Sequence, residues 1–197
     1  MSRLSSAALG EEFFARSVHQ VARELVGCTL LVDGVGGVIV ETEAYEAADP
    51  ACHAYVGRTA RNGVLFGPPA HAYVYLSYGI HSLLNAVCAP EGEAAAVLIR
   101  ALEPTDGIEQ MMHRRGGKQL WELCSGPGKL TEALEVGLGL NGASLLKAPF
   151  RLHPPVHPEA IEVVAGPRIG ITKAVELPWR YCAARNRHVS RPRPIAA

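Results

Sequence analysis

The chain has 197 residues, of which 48% are hydrophobic and 19% charged, and its 19 basic residues balance 19 acidic ones. This length and composition predict one globular domain and exclude a disordered chain. No apolar run reaches the roughly 18 residues of a membrane span, and residues 1–10 lack the pattern of a secretory signal. We therefore expect a cytoplasmic monomer without membrane contact.

The charge distribution and the cysteine spacing bear on which partners and bound groups the protein has. Residues 1–139 hold 10 Lys and Arg against 16 Asp and Glu, whereas residues 140–197 hold 9 against 3. This asymmetry permits one basic face, so zero net charge does not exclude a nucleic-acid partner. The five cysteines are odd in number and widely spaced, which favours free thiols over disulfides or a zinc site. We expect no metal and no cofactor.

The first part of the chain predicts a helix, a strand pair and a long loop. Apolar residues recur at helical spacing over Phe14–Leu25. The strands Cys28–Val32 and Val38–Tyr45 are joined through Asp33-Gly34, a typical hairpin turn. Glu46–Pro69 is polar and rich in turn residues, which predicts an ordered surface loop; loops of this length are usually functional or disordered.

The middle of the chain predicts further strands. Ala72–Ser77 and Ser82–Cys88 flank Tyr78-Gly79 as a second strand pair, and Ala95–Leu102 is a third apolar strand candidate that ends at Glu103-Pro104.

The remainder predicts two helices and irregular segments. Gly107–Arg115 is a short helix, and Ser125–Pro127 opens another with proline in its first turn. Leu145–Pro158 is proline-rich and irregular, 161–189 mixes short strands with turns, and Ser190–Ala197 is a basic, frayed tail.

The order of these elements predicts an α+β fold. We expect a single domain over residues 1–197 with a curved antiparallel sheet, a protruding β-hairpin and surrounding helices. Residues 1–10 and 190–197 are expected to fray.

A carboxylate on the second strand is the first candidate for chemistry. Alternation along Val38–Tyr45 places Ile39, Glu41, Glu43 and Tyr45 on one face. Such a face is either the start of an active site or a solvated strand face. By itself the pattern favours the solvated face, and it does not separate Glu41 from Glu43.

Aromatic residues concentrate after this strand. Five of the six tyrosines lie within 45–78, and Tyr78 falls at the tip of the second hairpin. A tyrosine at a hairpin tip suits a wedge that fills the gap left by a base rotated out of a duplex. Tyr45, Tyr75 and His53 would then stack around that base. The alternative, an ordinary apolar strand surface, has about equal weight for the strand tyrosines.

Six segments in order carry a family resemblance. They are Val40–Tyr45, Asp49–His53, Arg58–Asn62, Tyr73–Tyr75 with Tyr78-Gly79, Leu98–Pro104, and Glu122–Pro127. Together they resemble the alkyladenine (3-methyladenine) DNA glycosylase family, of the mammalian type that also occurs in bacteria. The resemblance runs from about Phe13 to Ser190.

The resemblance implies a monofunctional DNA glycosylase that hydrolyses alkylated or deaminated purines from double-stranded DNA. It implies that Glu43 is the general base for the attacking water, with Arg100 as a second holder of that water and a main-chain carbonyl near Ile169 as a third. The same residue-by-residue match implies a base pocket lined by Tyr45, His53 and Tyr75, with Asn85 at its floor or wall. It also implies that Tyr78 intercalates.

Two further expectations concern Glu41 and the lysines. We expect a bend of the strand to turn Glu41 aside into a structural salt bridge. All four lysines lie outside the segments from Glu43 to Arg100. Because a lyase would form a Schiff base through a lysine, we expect hydrolysis alone.

Candidate contacts to the DNA backbone are less specific. Arg58 and Arg61 either bind phosphate or anchor the loop. The start of the predicted helix, with Ser125, Gly126 and Lys129, offers backbone N–H groups to a phosphate or is an ordinary helix start. Two other functions stay open: a damage sensor that flips bases without cleavage, and a metal-dependent hydrolase drawing on Cys52 and His53.

Overall fold

The computed structural model describes residues 9–193. Within them the chain forms four α-helices and eight strands, and all strands belong to one open antiparallel sheet. The strands are β1 Thr29–Val32, β2 Val35–Glu46, β3 Ala72–Ser77, β4 His81–Val87, β5 Ala95–Asp106, β6 Phe150–His153, β7 Val163–Gly166 and β8 Arg180–Ala183. The helices are α1 Glu11–Phe14, α2 Val18–Leu25, α3 Ile108–Arg114 and α4 Pro127–Leu134. The predicted α+β class is confirmed.

Strand β2 is the centre of the sheet. The strand order is β3-β4-β5-β2-β1-β6, and β8 joins β2 as well as β7. One edge of β2 pairs with β5, while its other edge pairs first with β1 and then, from Glu41 to Glu43, with β8. The part of β2 that carries both glutamates is therefore enclosed on each side.

The first hairpin follows its turn chemistry. Asp33 and Gly34 have φ values of 49° and 80°, so both turn residues adopt the left-handed conformation that a two-residue hairpin favours. The predicted turn is confirmed, and β2 begins three residues earlier than its apolar pattern indicated.

The predicted N-terminal helix is interrupted. Helix α1 ends at Phe14 and α2 begins at Val18, so the expectation of one helix over Phe14–Leu25 is correct only for the second part. Nε of Arg16 donates to the carbonyl of Phe13 at 2.9 Å. This bond satisfies a helix-end carbonyl and lets the chain turn while Phe14 stays in the core.

Strand β5 is longer than predicted. It continues through Pro104 to Asp106, although a proline removes one hydrogen bond from a strand ladder. A register shift between Gly36 and Gly37 accommodates it. A Cβ at Gly37 would lie 2.0 Å from the carbonyl oxygen of Glu103, so only glycine permits this close approach.

Two C-terminal expectations are wrong. Leu145–Pro158 is not wholly irregular, because β6 alternates buried and exposed residues and pairs with β1. Ser190 does not fray: it is buried, and its main-chain N–H donates to Glu41. Leu9 packs against the core and the carbonyl of Gly10 accepts from Phe13, so these two positions do not fray either. Residues 191–193 are exposed, and the remaining predicted frayed positions, 1–8 and 194–197, lie outside the described residues.

All five cysteines are buried and free, as their spacing indicated. Burial raises the pKa of every thiol, to about 12 for Cys28, Cys124 and Cys182. The chain therefore has no readily ionised cysteine among its native five.

The second hairpin is bonded to helix α4 close to its turn and is exposed at its tip. Oγ1 of Thr131, in α4, donates to the carbonyl of Ser82 at 2.6 Å. At the tip, Tyr78 and Gly79 adopt the left-handed conformation, and Tyr78 is 90% exposed. Within residues 9–193 no helix is long and apolar enough to cross a bilayer.

Candidate active site

A cavity of about 610 Å³ opens beside β3, β4 and β5. The loop after β2 and the segment 169–173 complete its wall. It collects Tyr45, His53, Arg61, Tyr75, Tyr78, Asn85 and Arg100 among its lining residues. Elements distant in the chain thus bring most of the predicted site residues to one place.

Glu43 lies immediately behind this lining. Its side chain is fully buried, and its two carboxylate oxygens accept three hydrogen bonds. The hydroxyl of Tyr45 donates to Oε2 at 2.7 Å and Nη1 of Arg100 donates to the same oxygen at 3.1 Å. The main-chain N–H of Ile169 donates to Oε1 at 2.8 Å. Three donors therefore hold this buried carboxylate in one orientation behind the cavity lining.

The backbone at Ile169 contacts Glu43 directly. The expectation was a carbonyl that would hold the attacking water. The contact present is the N–H group of Ile169, which donates directly to the carboxylate. This segment therefore orients the carboxylate itself.

An irregular stretch of the sheet brings Arg100 to both glutamates. The register of β2 with β5 shifts on each side of Glu41, between Ile39 and Thr42. Nε of Arg100 reaches Oε1 of Glu41 at 2.8 Å while its Nη1 faces Glu43. The side chain of Arg100 is almost fully buried between the two carboxylates.

Glu41 forms ion pairs instead of lining the cavity. Besides Arg100, Nε of Arg180 donates to its Oε1 at 2.7 Å. Burial opposes ionisation, but the two arginines outweigh it and hold the pKa of Glu41 below its ordinary value. The expected strand irregularity and salt bridge of Glu41 are both present.

Aromatic rings form one wall of the cavity. The rings of His53 and Tyr75 have centroids 4.5 Å apart, and those of Tyr73 and Tyr75 lie 5.4 Å apart. Nδ1 of His53 is 2.9 Å from the hydroxyl of Tyr73. Burial raises the pKa of Tyr75 to about 12, so it remains a neutral phenol. Burial, with Arg61 nearby, lowers the pKa of His53 and favours a neutral imidazole.

Asn85 supplies an amide to the same wall. It is buried on β4, where it pairs with Tyr73 of β3. Its Nδ2 donates to the carbonyl of Tyr73 at 3.0 Å, and that bond fixes the orientation of the amide.

Arg168 is a residue that the sequence did not identify. Its guanidinium is 4.6 Å from the ring centroid of Tyr45 and 5.0 Å from that of Trp179. It forms a buried, two-pronged ion pair with Asp49, from the loop after β2. Asp49 belongs to the segment Asp49–His53 of the family resemblance, and a buried acid needs a basic partner. Only the fold shows which of the 15 arginines that partner is.

The predicted backbone contacts divide into two groups. Arg61 lines the cavity, whereas Arg58 lies over the ring of Phe66 at 6.0 Å and does not line it. At α4, proline occupies the first turn as predicted, and Lys129 is exposed. The helix start enters the cavity rim through Pro127 and Gly128; Ser125, Gly126 and Lys129 are outside the lining.

Comparison with known proteins assigns the family. The family model for methylpurine-DNA glycosylase matches residues 12–187. The chain belongs to this family. A protein of Rhodopseudomonas palustris strain HaA2, provisionally named a 3-methyladenine DNA glycosylase, is 56% identical over 97% of this chain and 98% of its own. Proteins with the same provisional name from Bradyrhizobium diazoefficiens and Nitrosospira multiformis are each 55% identical, the first over 98% of both chains, the second over 91% of this chain and 92% of its own.

Membership in the methylpurine-DNA glycosylase family makes the chain a DNA glycosylase, a hydrolase of N-glycosyl bonds in DNA. The match covers every element that forms the cavity wall and both buried glutamates. Among residues 9–193 no group of three or more His, Cys, Asp or Glu side chains has the arrangement of a metal site.

Proposed function

We propose that the protein rotates alkylated or deaminated purines out of duplex DNA and hydrolyses the bond between base and sugar with a water directed by Glu43. The observation that carries this proposal is the buried carboxylate of Glu43, held by Tyr45, Arg100 and Ile169 behind an aromatic cavity. The relatives' names support an alkylated purine as substrate. Their names do not mention hypoxanthine, which we include for its similar shape.

The cavity suits a flat, electron-poor base. Tyr45, His53 and Tyr75 offer aromatic faces, and stacking on such faces accepts any purine. An alkylated purine such as 3-methyladenine is cationic, so aromatic faces attract it and it departs readily as a neutral base. A neutral purine such as hypoxanthine needs a proton as it leaves, which makes its release more demanding.

The proposed role of Glu43 is twofold. Cleavage of the N-glycosidic bond builds positive charge on the sugar, and a carboxylate stabilises that charge while it accepts a proton from the attacking water. Because Tyr45, Arg100 and Ile169 separate Glu43 from the cavity, we infer a small displacement of this lining when the damaged nucleotide enters. Arg100 then holds the water against the carboxylate.

At the hairpin, Tyr78 is the proposed wedge. Its 90% exposed ring has no packing role, and Ile80 beside it is 74% exposed. Inserted into the stack, Tyr78 would replace the extruded base. The proposed phosphate contacts are Arg61, the exposed Arg58 and Lys129, and the start of α4 at Ser125 and Gly126.

Hydrolysis without strand cleavage is the proposed outcome, and Lys173 provides its sharpest test. Although Lys173 is remote from the sequence motifs, it lines the cavity. A Schiff base between an amine and the sugar would be trapped by borohydride. We expect no trapped adduct with wild-type protein or with Lys173→Gln; an adduct lost in Lys173→Gln would contradict a monofunctional reaction.

The deciding experiment compares Glu43→Gln with wild-type protein on duplexes that each carry one lesion. Wild type is expected to leave sites that break only after alkali. Glu43→Gln is expected to bind the same duplexes and release no base. The matched control is Glu46→Gln, three residues along β2 and outside the cavity lining, which is expected to retain activity.

Each result distinguishes the alternatives. Full activity of Glu43→Gln contradicts the proposed mechanism. Binding by wild type without any base release identifies a damage sensor, and activity that a strong chelator abolishes identifies a metal-dependent hydrolase. Testing several lesions in parallel ranks the substrates.

We also propose that the protein acts as a monomer in the bacterial cytoplasm. Its elution volume in size-exclusion chromatography tests whether it is a monomer.

A further inference from the structure

Glu41 is the most heavily bonded carboxylate near the site and has no part in the proposed reaction. It is fully buried and separate from the cavity lining. In addition to its two arginines it accepts two hydrogen bonds from Ser190, from Oγ at 2.8 Å and from the main-chain N–H at 2.7 Å. Burying a charge is costly unless it is paired and hydrogen-bonded, and here four donors bond to the carboxylate.

Arg100 transmits the position of Glu41 to Glu43. Its Nε donates to Glu41 and its Nη1 to Glu43. The guanidinium is planar with donors in a rigid fork, so the bond to Glu41 sets the direction of the donor that faces Glu43. A displaced Glu41 would tilt that donor away from Glu43 and from the water beside it.

A segment near the C-terminal end of the described chain holds Glu41 in place. Ser190 lies 149 residues beyond Glu41 in the chain. Arg180 secures it, because its Nη2 donates to the carbonyl of Ser190 at 3.1 Å and its Nη1 to that of Pro192 at 2.9 Å. The segment therefore closes a network that begins at Glu43 and passes through Arg100, Glu41 and Arg180.

We propose that Glu41 is a positioning residue for base excision and that Ser190 fixes it for this role. The inference rests on the proposed function, since Glu41 acts only through Arg100 on Glu43 and its water. If the network served the fold alone, its loss would lower stability and leave the reaction of the folded protein unchanged.

The test measures base release under single-turnover conditions with saturating enzyme, on the best lesion-containing duplex. Ser190→Ala removes one of the four donors and retains the main-chain bond. It is expected to slow release by about tenfold, the effect of one hydrogen bond to a charged group, with unchanged duplex affinity. Glu41→Gln is expected to slow it by about 100-fold or more, because misplacement of a reacting group has effects of that size.

Asn186→Ala is the matched control. Nδ2 of Asn186 donates to Oε2 of Glu103 at 2.7 Å, so it also ties this segment to the sheet, without contact to Glu41. Asn186→Ala also removes the Oδ1 acceptor of the main-chain N–H of His188, so it is expected to lower the melting temperature at least as much as Ser190→Ala. Assayed well below that temperature, only Ser190→Ala is expected to lose rate. This contrast separates positioning from stability even if Glu41→Gln does not fold.

Equal rates for Ser190→Ala and Asn186→Ala would overturn the positioning role. A loss of affinity in place of rate would overturn it as well, because Glu41 and Ser190 reach the cavity lining only through Arg100. A wild-type protein that releases no base would instead contradict the proposed function, so the two failures are distinct.

Discussion

The hydroxyl of Tyr45 lies 2.7 Å from Oε2 of Glu43, two positions back along the same strand. The alternation of β2 directs both side chains to one face, and the bond joins a cavity-lining ring to a buried carboxylate. Burial, followed by the charge of Glu43, raises the pKa of Tyr45, so its proton remains available for this bond. Tyr45 therefore combines a ring that lines the cavity with a donor for Glu43.

Tyr45→Phe removes that donor and retains the ring. We expect single-turnover base release to fall by about tenfold while duplex affinity stays unchanged, since one hydrogen bond to a charged group is lost. The control is Tyr181→Phe, which removes a hydroxyl that lies 3.2 Å from Nδ1 of His19, away from the cavity. Equal rates for the two variants would contradict the role of the Tyr45 hydroxyl.

Asp49→Asn tests the buried ion pair with Arg168. The substitution keeps the shape of the side chain but leaves the guanidinium without its charge partner, so the free energy of unfolding should fall by about 3–5 kcal/mol. Urea denaturation measures this. Glu135→Gln breaks an ion pair with Arg114 in which the acid is 75% exposed, and its effect should stay within about 1 kcal/mol. Similar small effects for both would show that the buried pair is not critical to stability.

Tyr78→Ala examines the hairpin tip. Because the ring is 90% exposed, stability should be unchanged, whereas lesion binding should weaken by about tenfold or more as a stacking partner is lost. Base extrusion raises the fluorescence of a 2-aminopurine placed beside the lesion. We expect this rise with wild-type protein and not with Tyr78→Ala. Tyr55→Ala, at a 52% exposed tyrosine outside the cavity lining, serves as the control. A normal fluorescence increase in Tyr78→Ala would rule out the wedge.

Removing Arg61 should raise the pKa of His53. Burial is the larger cause of the lowered pKa and Arg61 the second, so Arg61→Gln moves it part of the way back to 6.5. An NMR titration of the imidazole measures the change. Arg58→Gln, which removes an arginine that does not contribute, should leave the pKa as it is. If both variants titrate like wild type, Arg61 does not act on His53.

The same pKa has a consequence for stability. His53 binds its proton less readily in the folded protein than in the unfolded chain. As pH falls below 6.5, the unfolded chain gains protons first, and the folded state loses stability. In the proposed function a protonated His53 would also repel a cationic base.

Local patterns predicted the hairpins well because their information is contained in adjacent residues. Asp33-Gly34 specifies a tight turn through its backbone preference, Gly79 permits the second turn, and the flanking apolar residues specify strands. Ser125–Pro127 likewise begins α4, because the first turn of a helix needs no N–H from its proline. The family resemblance added the set of cavity residues, most of which the structure brings together.

Features that depend on distant partners were not predictable. Strand β5 continues through Pro104 where Gly37 lies opposite and permits the close approach, and β6 pairs with the edge of β1. The partners of the buried acids show the same limit: Asp49 pairs with Arg168, and Glu41 bonds to Ser190, in a segment whose basic composition predicts a frayed tail. These pairings depend on the three-dimensional arrangement of the sheet, so local sequence patterns do not identify the partners.

The burial of all five thiols makes this protein convenient for site-specific labelling. Each native cysteine is both inaccessible and hard to ionise, so maleimide reagents should react with the folded protein slowly or not at all. A single cysteine placed at Ile80, which is 74% exposed close to Tyr78, would then take up a fluorophore alone. A dye at that position would report the arrival of the hairpin at a lesion in real time, with the native cysteines left in place.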